Sequence, residues 1–428
     1  MGGGTAVPLT HPGRLRRALR ALLADVTPLR RYPAYRRLWF GETVAAVGSQ
    51  LTVVAVAVQV FALTGSSFAV GLLGLVAVGP LVAGGLLGGA VADAADRRRL
   101  AVTTSVGLAL TSLVLVAQAA AGLDQVWLLY VVVAAQSALA AVNQPTRRAI
   151  VPRLLPAAQI PAATALSQIG WNVALATGPL LAGVAIAASG VGVAYGLDAA
   201  SFLAALYGLA RLPPMPPEGG GRRAGVASVL EGLRYLRGRR VVLMTFVVDL
   251  VAMVFGMPRA LFPQLAVDQF GGGPRTVGVL YSAVAAGALV GALLGGWFGR
   301  VRRQGLAVLV AVAVWGAAIV GFGLARALAV GVLLLAVAGG ADMVSAVFRT
   351  SILQTATPDA MRGRLQGVFI VVVTGGPRLG DLEAGAAAAL VSPTFSVVSG
   401  GLACVGGVLL IAALVPAFAC YDARQGDR

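Results

Sequence analysis

From Leu38 almost to its last residue, the chain runs in stretches of about twenty apolar positions separated by short polar ones. Each stretch is long enough to cross about 30 Å of hydrocarbon as a helix rising about 1.5 Å per residue. The pattern predicts spans at 38–63, 68–92, 100–121, 126–145, 161–187, 193–212, 241–262, 275–299, 305–325, 328–349, 365–388 and 394–419. Strand-like alternation is absent, and alanine, leucine, valine and glycine dominate, so helices are expected rather than a barrel. Connections on one side are short, such as Thr64-Gly65-Ser66-Ser67 and Gly122-Leu123-Asp124-Gln125. The longest connection on the other side covers 211–240. There Pro213, Pro214, Pro216 and Pro217, followed by Gly219, Gly220 and Gly221, stop regular helix. Residues 229–237 then set apolar positions at helical spacing against arginines, as in a short helix lying at a membrane interface.

Composition agrees with lipid as the solvent. The 428 residues are 58% hydrophobic and 11% charged, with a mean hydropathy of +0.87. A soluble protein of this size could not cover so much apolar surface. The formal charge is +17, and all 33 basic residues are arginine. No compact basic domain with stacking aromatics accompanies that charge, so nucleic acid is not an expected partner. The placement of the arginines is more telling than their sum. If the N-terminal tail is cytoplasmic, 29 arginines fall on the cytoplasmic side, and only Arg259, Arg275, Arg326 and Arg378 fall elsewhere. This positive-inside bias predicts cytoplasmic termini and an even number of spans. The first apolar run begins late and is full length, so no cleavable signal is expected. The composition, arginine for lysine with much alanine and glycine, suits a GC-rich bacterial genome and hence a bacterial inner membrane.

Several chemistries lack raw material. His11 is the sole histidine, so neither a metal site nor a Ser-His-Asp triad is expected, and no cofactor or enzymatic activity is predicted. There is no lysine, so a Gly-x-x-x-x-Gly-Lys phosphate loop cannot form. Cys404 and Cys420 lie sixteen residues apart, about 24 Å along a helix, too far for a disulfide.

The two halves repeat each other. Val70-Gly71-Leu72-Leu73 recurs as Val277-Gly278-Val279-Leu280, and Leu86-Leu87-Gly88-Gly89 as Leu293-Leu294-Gly295-Gly296, both at an offset of 207. Ala149-Ile150 with Pro156 recurs as Ser351-Ile352 with Pro358 at an offset of 202. Shared helix-packing bias without duplication is the alternative account. Duplication gives two bundles that can rock about a central site. The expected organisation is a tail at 1–37, a six-helix bundle at 38–212, a linker with an amphipathic helix at 213–240, a second bundle at 241–419 and a tail at 420–428.

After the second span, Gly89-Ala90-Val91-Ala92-Asp93 runs on to Arg97, Arg98 and Arg99. This resembles the Gly-x-x-x-Asp-x-x-x-Arg signature of the major facilitator superfamily. The resemblance implies twelve transmembrane helices in two pseudo-symmetric bundles, with Gly89, Asp93, Arg97 and Arg98 as a conformational latch. Asp96 is an extra acid, and the second-half counterpart, 295–300, has Arg300 and no matching acid, so one complete latch is implied. Thr64-Gly65-Ser66, Asp198-Ala199-Ala200-Ser201-Phe202, Gly363-Arg364 and Gly375-Gly376-Pro377-Arg378-Leu379-Gly380-Asp381 look like the drug-exporter branch that includes enterobactin exporters. Gly178, Pro179 and Gly183 partly match the antiporter motif of that superfamily. The arginine motif that other drug/proton exporters carry in span four is missing, since 126–145 contains no arginine, which leaves the proton-coupling residue unassigned by resemblance.

Ionisable groups inside hydrocarbon cost several kcal/mol, so each calls for a reason. Arg378 and Asp381 sit at i, i+3 in span eleven and can pair, either as a packing salt bridge or as part of a substrate or proton site. Glu383 points about 200° away from Asp381. Asp249 and Asp342 read as single mid-membrane acids in spans seven and ten. Either can be the proton carrier or a hydrogen-bonded structural acid, and Asp381 and Glu383 are further proton candidates. Asp249 and Arg259 are about 15 Å apart along one helix and cannot pair. Glu42 and Arg349, near inner span ends, either snorkel or join Arg378 and Asp381 in lining a cavity. Asp198 reads as structural. The function expected is export of a bulky organic compound, a drug or siderophore, by a monomeric proton antiporter. An importer or uniporter of the same fold, or a membrane scaffold, remain alternatives.

Overall fold

The computed structural model describes residues 25–216 and 226–422, apart from the side chains at 85–94, 226–230, 359–360, 362–363, 366–367 and 370. His11 and the poly-glycine part of the linker fall outside that description, and of Gly89, Asp93 and Gly363 only the helical backbone is described. Everything described is helix and connection, with one isolated bridge between Arg303 and Asp422.

A short helix, α1 (Thr27–Arg31), precedes the first six spans: α2 (Pro33–Thr64), α3 (Ser67–Ala94), α4 (Arg97–Ala120), α5 (Val126–Leu154), α6 (Ile160–Ser189) and α7 (Val191–Ala210). The linker helix is α8 (Val226–Arg237). Span seven is α9 (Arg240–Phe255), a tight turn at Arg259–Leu261 and α10 (Phe262–Asp268). Spans eight to twelve are α11 (Pro274–Leu293), α12 (Gln304–Leu324), α13 (Leu328–Thr355), α14 (Asp359–Leu390) and α15 (Pro393–Leu414), and α16 (Pro416–Ala419) closes the chain. Among the described residues eleven helical stretches are long and apolar enough to cross a membrane, and α14, 32 residues long, lies between two of them as span eleven and brings the number of spans to twelve. Large apolar side chains such as Leu203, Leu333 and Leu410 are more than half exposed along these helices, a surface that only lipid can cover.

Local chemistry sets the ends of the spans. Pro33 starts span one, where a missing N–H costs nothing, and Gly65 ends it at φ 62, a left-handed cap that suits glycine. Asp96 caps span three by accepting from the Arg99 amide, and Ser392 caps span twelve by accepting from Phe395. Asp96 also accepts from the Met215 amide at 2.7 Å, which ties the start of span three to the linker. Partial burial acts against its charged form, but the amides of Arg99, Met215 and Arg98 outweigh it and hold the carboxyl below the usual aspartate range.

Within the first half, spans one and six, one and five, two and four, three and six, and three and four pack together. Each pairing recurs six spans later, as seven with twelve, seven with eleven, eight with ten, nine with twelve, and nine with ten. The duplication read in the sequence is therefore also a duplication of packing. Spans four and ten end alike, with Ile150 and Ile352 both fully buried one turn before the exit.

Two expectations need correcting. Span four does not stop at 145 but continues as helix through Pro145 and Pro152 to Leu154. Span seven is not one helix. Gly256-Met257-Pro258 interrupts it, and the Trp315 indole of span nine donates to the freed Gly256 carbonyl at 3.1 Å.

Candidate functional site

The halves meet most extensively where span two packs on span eleven and span five on span eight, with smaller contacts from spans one and two to spans seven and eight. The repeat glycines sit in both. A side chain on Gly71 would strike the Asp381 backbone of span eleven, and one on Gly278 would strike the Pro179 carbonyl of span five. Gly74 packs on Arg378, Gly385 on Ser67, and Gly183 on Pro274 and Gly278 in the same way. All of these residues lie near the ends of their spans that face away from the chain termini. The Ser67 hydroxyl donates to Gln264 at 2.6 Å across the same level. Nearer the terminal end, side chains on Gly79 and Gly375 would meet nothing within 4 Å. The close approaches between the halves that these glycines mark thus lie at the far end. Pro179 and Gly183 belong to this contact between the halves, whereas Gly178 is set against Gln50 of span one within the first half.

Among the described residues, the ion pairs within the spans lie in the second half. Arg349 of span ten forms ion pairs with two acids: Asp249 of span seven through Nη1, and Asp342 of its own helix through Nη2 at 3.7 Å. The side chains of Asp249 and Arg349 are 6% and 10% exposed, whereas that of Asp342 is 35% exposed. The two acids that read as single in the sequence therefore share one cation. Arg349 is not a snorkelling residue at a span end; it is buried between spans seven and ten. Its i, i+7 relation to Asp342 places both on one face of span ten, and close packing of that span on span seven brings in Asp249.

Asp381 pairs differently from the i, i+3 expectation. Its partner is Arg259, at 3.3 Å, and not Arg378. The cause lies in the broken span seven. A side chain on Gly380 would hit the Met253 carbonyl, so spans seven and eleven touch at this level. The turn after Pro258 then carries Arg259 to the adjacent Asp381. Tyr281 of span eight donates to the Arg259 carbonyl at 3.1 Å and braces the turn. Arg378 lies in the field of both Arg259 and Asp381, giving two cations around one acid. Glu383 takes part in no ion pair among the described residues and lies toward Cys404 of span twelve.

The first half is polar but mostly uncharged. Asp198, 1% exposed, accepts from Thr52 at 2.6 Å and Ser112 at 2.7 Å, joining spans one, three and six. One layer away, Gln59, Gln118 and Tyr195 bond the same three spans together. Nearer the termini, Glu42 lies in the field of Arg147 and Arg148, and Arg147 donates to Ser105 at 2.9 Å. Arg147 was missed because span four was ended before it; its helical spacing from Asn143, which donates to Ser105 and Thr104, is the signal that could have found it. Of the residues expected to form a latch, Arg97 donates to the Ala149 carbonyl at 3.3 Å and Arg98 to the Ala210 carbonyl at 2.6 Å, both within the first half.

Comparison with known proteins agrees with this architecture. The profile of a family described as transmembrane secretion effectors matches residues 24–426. The Enterobactin exporter EntS of Shigella boydii serotype 18 is 28% identical over 394 residues, 92% of this chain and 94% of that protein. Among solved structures, a mutant form of the peptide transporter POT superposes with a TM-score of 0.74 at 12% identity, covering 94% of this chain and 98% of that one. A bacterial homologue of the lysosomal transporter Spinster, inward-facing and unoccupied, superposes with a TM-score of 0.68 at 14% identity, covering 93% and 98%.

Proposed function

The chain belongs to the transmembrane secretion effector family of major facilitator transporters, and on that premise we propose that it exports a bulky, partly apolar organic compound in exchange for protons. The observation that carries the coupling is Arg349 shared between Asp249 and Asp342. With both acids ionised the cluster has one net negative charge; with one protonated it has none. A net charge buried among helices costs several kcal/mol, so the neutral form is the one that tolerates full enclosure. Asp342, more exposed and farther from the guanidinium, is the acid that exchanges its proton with the open side. Asp249 remains the buried anchor of Arg349. Enclosure of the cluster as the halves rock therefore requires a proton, and that requirement links proton entry to the return of the empty carrier.

The rocking units are residues 38–212 and 241–419, joined by the 213–240 linker. The arginine bias supports a cytoplasmic-membrane protein with both termini in the cytoplasm. On that orientation the closure at Gly71 and Gly278 is on the outer side, and the conformation is open to the cytoplasm. When the inner side closes, Gly89, Asp93, Arg97 and Arg98 latch the halves, with Arg97 and Arg98 leaving the Ala149 and Ala210 carbonyls. Arg259, Arg378, Asp381, Glu383 and Glu42 line the substrate path, and Gly178, Pro179 and Gly183 provide the close packing at the outer side. The name of the enterobactin-exporting relatives supports a siderophore or drug-like cargo. The chain works as a monomer and needs no cofactor.

The test is uphill transport in proteoliposomes under an imposed pH gradient. Wild-type protein concentrates the cargo, whereas Asp342→Asn retains downhill exchange and loses concentration against the gradient. If Asp342→Asn and Asp249→Asn both concentrate cargo at the wild-type rate, the coupling assignment is wrong.

A further inference from the structure

On the flank of the second half, spans nine and ten border an open groove of about 490 Å³. Its floor is made of small residues, Ala307, Ala311, Gly340 and Ala341, and its rim of larger ones. The rim residues Leu306, Val310 and Val314 are all more than 40% exposed. This is a concave apolar slot rather than the convex surface that ordinary helix packing leaves to lipid. It runs from Arg303 to Val314 along span nine, about 16 Å of helix, which is about half of a 30 Å hydrocarbon core. The slot therefore has the depth of one leaflet, the leaflet at the end carrying the termini.

The mouth is strongly basic. Arg303 lines the groove and is exposed, and Arg300 and Arg302 belong to the same short connection. The sequence from Gln269 to Ala341 contains no acid, and Asp422, whose backbone bridges Arg303, is the acid the fold brings to this turn. Trp297 also lines the mouth, the residue type favoured at the boundary between headgroups and hydrocarbon.

We propose that this groove is a specific site for an anionic diacyl phospholipid. One acyl chain fills the slot, and the phosphate lies on Arg302 and Arg303. Charge complementarity selects the anionic headgroup, and basic pockets between helices at the membrane surface recognise such lipids by this chemistry. The site is placed to influence transport. Trp297 lies 6.2 Å from Phe348, and Phe298 lies 5.6 Å from it, ring centre to ring centre. Phe348 adjoins Arg349, and the lining residues Ala341 and Val344 flank Asp342 on span ten. A lipid in the slot braces the helix that carries two of the three paired charges. The binding claim holds whatever the cargo is.

Native mass spectrometry of the full-length protein, delipidated and titrated with phosphatidylglycerol or phosphatidylcholine of identical chains, tests it. The expected result is one phosphatidylglycerol retained per chain in preference to phosphatidylcholine. Each arginine near the headgroup contributes about fivefold, so Arg302→Gln with Arg303→Gln lowers that preference roughly 25-fold. Val310→Trp, at an exposed rim position, fills the slot and reduces retention of both lipids while the basic mouth stays intact. Equal retention of the two lipids by wild-type protein, or retention unaffected by both variants, overturns the proposal. Stoichiometric displacement of the lipid by a transported siderophore also overturns it, because the slot would then be a cargo site. If the arginine variant does not fold, the wild-type comparison and Val310→Trp decide the matter.

Discussion

Replacing Gly278 with alanine attacks the closed end of the molecule at a contact whose geometry is defined. The added Cβ would land on the Pro179 carbonyl and within 3.2 Å of the Gly183 Cα and amide nitrogen. Ordinary contacts lie near 3.5–4.0 Å, so spans five and eight must separate or shift. Neither neighbour can rotate away, because both are backbone atoms. Overpacking a close contact costs about 1–3 kcal/mol, and here it falls on the far-end-closed conformation alone. At about 1.4 kcal/mol for each factor of ten, a 9:1 preference for that conformation would drop to about 2:1 at the low end and reverse at the high end. Pulsed electron resonance reads this directly, with spin labels at Leu123 and Val391 in a background where Cys404 and Cys420 are alanine. The short-distance population across the far end should fall. Gly71→Ala, at the symmetry-related contact, should do the same, and Gly79→Ala, which meets nothing, should not. A Gly278→Ala distance distribution superimposable on wild type, in folded protein, would refute the assignment of this contact as a gate.

Other outcomes follow from the same geometry. Arg259→Ala and Asp381→Asn should each impair transport, and the double variant should recover part of the loss, because removing both avoids leaving one buried charge alone; a double variant no better than the worse single one would break the pairing. Asp198→Ala leaves the Thr52 and Ser112 hydroxyls without their acceptor and should cost about 1–3 kcal/mol in thermal unfolding, whereas Asp198→Asn keeps an acceptor and should cost less than half as much; equal losses would contradict a hydrogen-bonding role. Asp96→Ala should destabilise the start of span three by about 1–2 kcal/mol, seen as faster amide exchange at Arg99 and Met215. Because the Asp96 carboxyl titrates below the usual aspartate range, its contribution is present above that range and lost only as pH falls through the lowered value. Loss of protection at those amides near pH 5 would oppose this.

The spans were legible because hydrophobic length and arginine placement are properties of the chain itself. The internal repeat was legible for a similar reason, and the structure gives it meaning, since Gly71 and Gly278 occupy equivalent contacts between the halves. Pairing across spans was not legible. Nothing local in the sequence says that Arg349 will reach Asp249, 100 residues earlier. The i, i+3 rule made Arg378 a possible partner for Asp381 but could not weigh it against Arg259. That competition was decided by the break at Pro258, hidden in an otherwise apolar run. Arg147 was lost because the apolar run stops at 145, whereas the helix continues through Pro145 and Pro152. In a membrane, neighbouring helices and side chains satisfy the carbonyls that a proline frees, so the usual punctuation weakens.

Proton movement during transport by the unmodified protein bears most directly on the account. Proteoliposomes carrying a pH-sensitive dye in the lumen, with siderophores and common antibiotics offered in turn, report it. With the chain oriented so that cargo enters the lumen, the account predicts that each accepted compound drives protons out of the lumen, and that a lumen more acidic than the bath speeds its uptake. Cargo entering at the same rate with no proton leaving, and with no response to the gradient, would contradict it.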